Sequence, residues 1–135
     1  MKNALIVSNT EKNAAVFTAM LNAASVDCID IVQSCGGARR LLLDREFDLM
    51  IVIAPLFDES GVEFSRQIAA KGMAQVILLV EDTHLDAVTA ACENDGVLTI
   101  PLPVNKDVFR MTLSLLKSIR NRITRLQSEN LQFPN

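Results

Sequence analysis

The stretch Asp48-Leu-Met-Ile-Val-Ile-Ala-Pro-Leu-Phe-Asp-Glu-Ser-Gly61 decides the fold of this 135-residue chain. Apolar residues run without a break from Leu49 to Ala54, and then come a proline, two acids, a serine and a glycine. A strand without alternating polar residues must be covered on both faces, which is typical of a central strand in a parallel sheet. Because open α/β sheets place their sites in the loops that follow such strands, we expect the functional site near residues 53 to 61.

The composition of the chain favours one aliphatic α/β domain. Hydrophobic residues make up 50% of the sequence and aromatic residues 4%. The formal charge of -3 indicates neither a nucleic acid nor a membrane as a general partner. Three widely spaced cysteines and a single histidine argue against a disulfide framework and against a zinc site. The apolar runs are too short to span a membrane, so we expect a cytoplasmic protein.

Five apolar strands alternate with five helical segments. Strands are predicted at residues 4–7, 28–32, 49–54, 76–80 and 97–100, and helices at residues 8–24, 38–45, 61–71, 83–93 and 106–130. The strands do not alternate apolar with polar residues, and short loops join them to the helices. This pattern requires a parallel sheet with helices on both faces and right-handed crossovers. The second strand contains Asp30 and is the least apolar, which suits an edge position.

The first helix has a predicted start and a predicted buried face. Ser8 and Glu11 have the spacing of a capping box, so this helix should begin at Ser8. Its buried stripe should consist of Val16, Met20 and Ala23, with Phe17 and Leu21 beside them.

The order and spacing of these elements resemble the receiver domain of two-component response regulators. The most specific piece is Leu56-Phe-Asp-Glu-Ser-Gly61, which is similar to the family's Leu-Pro-Asp-x-Asp-Gly loop, and Ile100-Pro101 is similar to its Lys-Pro. The resemblance implies a flavodoxin-like (βα)5 fold with strand order 2-1-3-4-5 and a role in phosphorelay signal transduction. It assigns residues 1–117 to a receiver-like domain and residues 118–135 to a C-terminal helical extension.

The resemblance also shows which site residues are changed. Receivers accept a phosphoryl group on an aspartate at the end of strand three, and two acids after strand one hold Mg²⁺ together with that aspartate. A Ser or Thr ending strand four and a lysine ending strand five contact the phosphoryl oxygens. Here Ser8 and Asn9 replace the acids, Ile53 the acceptor, Val80 the hydroxyl residue and Ile100 the lysine. Isoleucine cannot form an acyl phosphate, and two neutral side chains lack the charge that holds Mg²⁺. We therefore expect a pseudo-receiver that is not an enzyme and has no metal or cofactor.

Two alternatives use the residual polar groups of the same edge. Asp58 is in the right loop to act as a substitute phospho-acceptor, although a solvated acid near a helix N-terminus is the simpler interpretation. Asn9, Asp58 and Thr99 could also line a cleft for a small ligand, which would make the protein a ligand sensor.

The last predicted helix is longer than a receiver requires. Its apolar residues follow the three-and-four spacing of a heptad seam, which we assign to Leu116, Ile119, Ile123, Leu126 and Asn130. Packing on the chain's own sheet explains such a pattern only up to about Leu116. We therefore predict a homodimer through a C-terminal coiled coil. Four basic residues of this segment are interpreted as its solvated flank rather than as a nucleic-acid contact: Lys117, Arg120, Arg122 and Arg125.

The segment Arg125-Leu-Gln-Ser-Glu-Asn-Leu131, placed after a receiver-like domain, resembles the N-terminal part of ANTAR-type antitermination regulators. In that family the coiled coil leads into a three-helix RNA-binding module, which we expect to be absent from this sequence. The resemblance implies a dimerisation and protein-interaction module in signal transduction or transcription antitermination. Its partners would be a second copy and a signalling protein, with RNA bound only through the missing module.

Overall fold

The computed structural model describes residues 2–132, with side chains described for residues 2–123, 125 and 126. These residues form the predicted alternation of strands and helices. The elements are β1 (Asn3–Val7), α1 (Glu11–Ala23), β2 (Cys28–Val32), α2 (Cys35–Asp44), β3 (Leu49–Ile53), α3 (Gly61–Ala70), β4 (Gln75–Glu81), α4 (Leu85–Cys92), β5 (Leu98–Leu102) and α5 (Lys106–Gln132). A short 3₁₀ turn, Asp82–His84, precedes α4.

The strands form one parallel sheet with the order β2-β1-β3-β4-β5, which confirms the predicted topology. All five residues of β3 are buried, and so are residues 76–80 of β4. β2 is an edge strand, as its aspartate indicated, and it has no fully buried residue. The unalternating strands therefore occupy the centre of the sheet, where both of their faces are covered.

The start of α1 differs from the prediction. Thr10, not Ser8, caps the helix, and its side chain accepts a hydrogen bond from the Asn13 N–H. Ser8 remains attached to the sheet because its N–H donates to the Val32 carbonyl at 3.0 Å. The Ser8 Oγ accepts from the Thr10 N–H, which lies before the helix, so the predicted capping box with Glu11 is wrong.

The buried face of α1 is also rotated from the predicted one. Ala14, Phe17 and Leu21 are buried, whereas Val16 and Met20 are half-buried. Ala23 is exposed. The buried face is thus centred on Phe17 and Leu21, which the sequence pattern placed beside the predicted stripe.

The caps of three other helices agree with their sequences. Ser34 caps α2 through the Gly37 N–H, and Ser60 caps α3 through the Glu63 N–H. Gly72 follows α3 with φ +66, the left-handed conformation that glycine adopts readily. Asn105 begins α5, since its Oδ1 accepts from the Asp107 and Val108 N–H groups.

β5 is longer than predicted and continues through Pro101 to Leu102. Val80 pairs with Pro101 and Glu81 pairs with Leu102. Proline is tolerated here because β5 is an edge strand with one unpaired side.

The chain divides into two compact units, Met1–Val104 and Asn105–Asn135. The second unit contains α5, so the predicted boundary between residues 117 and 118 lies inside one continuous helix. No helix of the described part of the chain is both long enough and apolar enough to cross a membrane.

Two serines of α3 should have opposite effects on stability. Ser65 is fully buried, and its Oγ has no hydrogen-bond partner among the described residues. Ser65→Ala should therefore raise the free energy of unfolding by about 1 kcal/mol. Ser60→Ala should lower it by about 1 kcal/mol, because it removes the helix cap. Urea denaturation measures the free energy of unfolding of both variants. A clear loss of stability in Ser65→Ala would contradict the conclusion that the Ser65 hydroxyl has no hydrogen-bond partner in the described part of the chain.

Candidate functional site

The carboxyl edge of the sheet carries a row of buried side chains. Ile53 pairs with Leu79 and Leu79 pairs with Ile100, so these three residues point to the same face of neighbouring strands. Ser8 follows Val7, which pairs with Val52, and this places Ser8 beside Ile53 at the end of the row. Ile53 is 2% exposed and Ile100 is 6% exposed. This part of the edge is packed with aliphatic groups.

Val80 lies on the opposite face of the sheet. It belongs to a core cluster with Val52 and Phe64, and it is 4% exposed. Ile53, Val80 and Ile100, which the sequence resemblance assigned to the acceptor, hydroxyl and lysine positions, are thus all buried aliphatic side chains, distributed over both faces of the sheet.

The two polar side chains after β1 make hydrogen bonds within the protein. The Ser8 Oγ accepts from the Thr10 N–H at 3.2 Å and donates to the Thr10 carbonyl at 3.1 Å. The Asn9 side-chain amide donates to the Pro55 carbonyl at 3.0 Å. Ser8 shapes its own loop, and Asn9 connects that loop to the one after β3.

These residues do not fit a magnesium site of the kind found in phosphorylated receivers. Such a site requires several oxygen ligands with negative charge, but Ile53 offers no oxygen and Ser8 and Asn9 are neutral. Among the described residues, no group of three or more histidine, cysteine, aspartate or glutamate side chains is placed to hold a metal ion.

Asp58 caps the N-terminus of α2. Its carboxylate accepts hydrogen bonds from the Gly36 N–H at 2.9 Å and from the Cys35 N–H at 3.1 Å. The bond from Gly36, followed by that from Cys35, holds the pKa of Asp58 below its usual value although burial opposes this. The sequence indicated an acid near the helix that follows it. In the structure the carboxylate instead binds a helix that precedes it by more than 20 residues in the chain.

The thiol beside this cap is inert. Cys35 is fully buried. Burial, with smaller contributions from Asp58 and Glu59, raises its pKa to about 12. A thiol with this pKa is protonated at neutral pH, and the thiolate is the nucleophilic form. Cys35 is therefore a packing residue.

Arg39 of α2 fixes the other end of the β3–α3 loop. Its Nη2 donates to the Glu59 carboxylate at 2.7 Å and to the Gln67 side-chain oxygen at 2.9 Å. The guanidinium also lies over the Phe64 ring, 4.9 Å from its centre. Since Ser60 caps α3, the loop is held at both ends and in its middle.

The three residues of the predicted ligand cleft have different hydrogen-bond partners. Asn9 binds the Pro55 carbonyl, and Asp58 binds the start of α2. The Thr99 Oγ1 is 2.8 Å from the Thr89 Oγ1 on α4. The structure does not join Asn9, Asp58 and Thr99 into one polar cluster, and a ligand at this cleft stays a prediction.

An open groove of about 560 Å³ lies elsewhere, between α1 and the β2 edge. Small side chains of α1 form one of its sides, and Ile31 of β2 and Gln33, just after that strand, contribute to the other. None of the residues of the predicted cleft lines this groove.

The sequence interpretation gave no role to Phe57, the most exposed large apolar side chain among the described residues. It is 89% exposed in a loop whose neighbouring residues make specific hydrogen bonds. Its signal in the sequence was a phenylalanine at the position where the receiver loop has proline.

The exposure of one stripe of apolar side chains on α5 increases along the helix. Phe109, Leu113 and Leu116 are buried. Ile119 is 43% exposed, and Ile123 and Leu126 are each 50% exposed. The side chain of Asn130, the last residue of the predicted seam, lies outside the described residues. The predicted seam therefore begins at a buried residue, Leu116, and continues through three half-exposed ones.

Comparison with solved structures identifies the fold. A signal receiver domain of an HD domain-containing protein from Pseudomonas fluorescens Pf-5 aligns with a TM-score of 0.78 and 21% identity, over 90% of this chain and 98% of that chain. The chain has the receiver-domain fold. A two-component response regulator from Clostridium difficile shares this fold at a TM-score of 0.74 and 17% identity, over 90% and 99% of the two chains.

A third structure with the receiver fold contains a bound metal ion. The receiver domain of a sensor histidine kinase from Pseudomonas aeruginosa PAO1 has a TM-score of 0.70 and 19% identity, over 85% of this chain and 96% of that one. That structure holds a magnesium ion in its active-site cleft. No family model matches the present sequence, and a search of curated proteins finds no match. The shared fold is thus established by structure alone.

The hydrogen bonds of Asp58 to the N-terminus of α2 should make the free energy of unfolding depend on pH. Asp58→Asn should lower the free energy of unfolding at pH 7, because the amide binds the α2 N-terminus less strongly than the carboxylate does. The folded-state pKa lies below the usual 3.8, so the difference between the two proteins should persist down to that pH and shrink as the pH falls further. Urea denaturation over this pH range measures it, with Asp27→Asn in an exposed loop as the charge control. A difference that grows at low pH would contradict the assignment.

Proposed function

We propose that this chain is a phosphorylation-independent pseudo-receiver, which dimerises through the C-terminal part of α5 and signals by protein contact. The observation that carries the proposal is the burial of Ile53, Val80 and Ile100 at the edge where receivers bind phosphoryl groups and Mg²⁺. Buried aliphatic groups exclude the ions and the water that phosphoryl transfer needs.

The surroundings of Asp58 support the same proposal. A phospho-acceptor must present a free carboxylate oxygen to the incoming phosphoryl group. Both Asp58 oxygens are engaged by the N-terminus of α2, at 2.9 and 3.1 Å. Phosphorylation at Asp58 would break this helix cap, and no cationic group of the kind that assists transfer is bound to the carboxylate in the described residues.

The exposed half of α5 supports the dimer. Ile119, Ile123 and Leu126 follow a spacing of four and three residues and keep about half of their surface exposed. Such a stripe can be covered by the same stripe of a second copy, which is the arrangement of a coiled coil. Because Arg125–Leu131 resembles the coiled-coil segment of ANTAR-type regulators, we further propose that the module belongs to a regulator of transcription antitermination, in which a separate output module would bind RNA.

Phosphorylation is tested with acetyl phosphate and Mg²⁺. The intact mass of the full chain should be unchanged after incubation, because no acceptor carboxylate is available. An active receiver domain treated in parallel is the positive control. A phosphoryl adduct that Asp58→Asn abolishes would overturn the proposal and establish Asp58 as the acceptor.

The dimer is tested by the molar mass in solution. A double substitution, Ile123→Glu with Leu126→Glu, should raise the dimer dissociation constant at least about tenfold, because charges in the seam oppose burial. Light scattering coupled to gel filtration measures this. Met111→Glu is the matched control, since Met111 is 69% exposed on the same helix but outside the seam. An unchanged dimer mass in the double variant, or a monomeric parent protein, would refute the seam.

A further inference from the structure

The loop between β3 and α3 is held in one conformation by contacts to two other parts of the chain, the β1–α1 loop and α2. Pro55 accepts a hydrogen bond from Asn9 in the β1–α1 loop. Asp58 binds the N-terminus of α2 through two backbone N–H groups. Glu59 is paired with Arg39 at 2.7 Å. Such contacts fix the backbone on both sides of Phe57 before any partner binds.

Phe57 itself projects from this rigid loop into solvent. It is 89% exposed, although burial of a phenylalanine side chain is strongly favourable. Aromatic side chains are enriched at protein interfaces, and one that is held rigidly loses little conformational entropy when it binds.

The surface around Phe57 is acidic. Asp58 and Glu59 follow it directly. Glu81 is the last residue of the neighbouring strand β4 at the same edge of the sheet, and Asp82 begins the 3₁₀ turn that follows. Within residues 1–104, acidic side chains outnumber basic ones two to one. A partner surface at this position is therefore favoured when it carries positive charge around an apolar contact.

We propose that the β3–α3 loop is a docking surface, in which Phe57 inserts into an apolar pocket of a protein partner with a lysine- and arginine-rich rim. Docking at this loop needs neither phosphorylation nor the α5 seam. Its test is therefore independent of the test of the dimer. The contacts of this loop hold Phe57 exposed to solvent at all times, so no ligand is needed to rearrange the loop before a partner binds.

A displayed random-peptide library selected against the full chain tests this proposal. The enriched peptides should combine apolar residues with lysine or arginine. Their affinity, measured by fluorescence anisotropy, should fall about tenfold or more with Phe57→Ser. Leu43→Ser is the matched control, because Leu43 is 84% exposed on α2, and it should change affinity by less than about twofold. Thermal unfolding shows whether both variants fold like the parent.

Arg39→Gln separates loop rigidity from charge. This variant frees Glu59 from its partner and makes the surface more negative. Rigid presentation of Phe57 predicts weaker binding of the selected peptides, whereas charge attraction alone predicts tighter binding. Tighter binding, selection of neutral or acidic peptides, or failure to obtain any peptide sensitive to Phe57→Ser would overturn the proposal.

Discussion

The structure depends on the need to cover both faces of two central strands that carry no polar side chain in their interiors. Residues 49–53 of β3 and 76–80 of β4 are buried throughout. Each buried aliphatic side chain contributes about 1.5–3 kcal/mol through the hydrophobic effect. The row from Ser8 through Ile53 and Leu79 to Ile100 extends this apolar packing to the carboxyl edge of the sheet. A buried ion pair can be replaced by well-packed apolar residues without loss of stability, so an aliphatic edge is compatible with the fold.

The same edge keeps one negatively charged group in a structural role. The Asp58 carboxylate lies at the N-terminus of α2, where backbone N–H groups and the helix dipole favour an anion. Together with Asn9 and Arg39 it fixes the loop after β3. The hydrogen bonds of this loop are formed within the protein, and our proposal therefore assigns signalling to contact with other proteins.

Much of the fold followed from local sequence patterns. Unbroken apolar runs located the central strands, and Asp30 marked β2 as an edge. The caps formed by Ser60 and Asn105 are encoded locally, because the N–H groups that they bind are three residues away or less. Ser8 was misassigned, since its spacing to Glu11 suits a cap equally well. The hydrogen bond from Ser8 to Val32 on the neighbouring strand shows that Ser8 continues the backbone pairing of the sheet.

The contacts that organise the site were not predictable in this way. The bonds from Cys35 and Gly36 to Asp58 join residues 23 and 22 positions apart, and no local pattern encodes them. In our proposal these bonds, with the salt bridge between Arg39 and Glu59, hold the loop that presents Phe57. Sequence comparison with the receiver loop identified the positions that had changed. It could not show which of the remaining polar groups were already occupied.

The stability of Ile53→Asp tests the central claim most directly. An aspartate at this buried position should lower the free energy of unfolding by about 3 kcal/mol or more, because its charge has no compensating partner there. Ile53→Val should cost about 1 kcal/mol. The loss in Ile53→Asp should diminish as the pH falls, since a buried carboxyl binds a proton readily. Near-parental stability at pH 7, increased further by Mg²⁺, would show that the edge still forms an ionic site and would contradict this account.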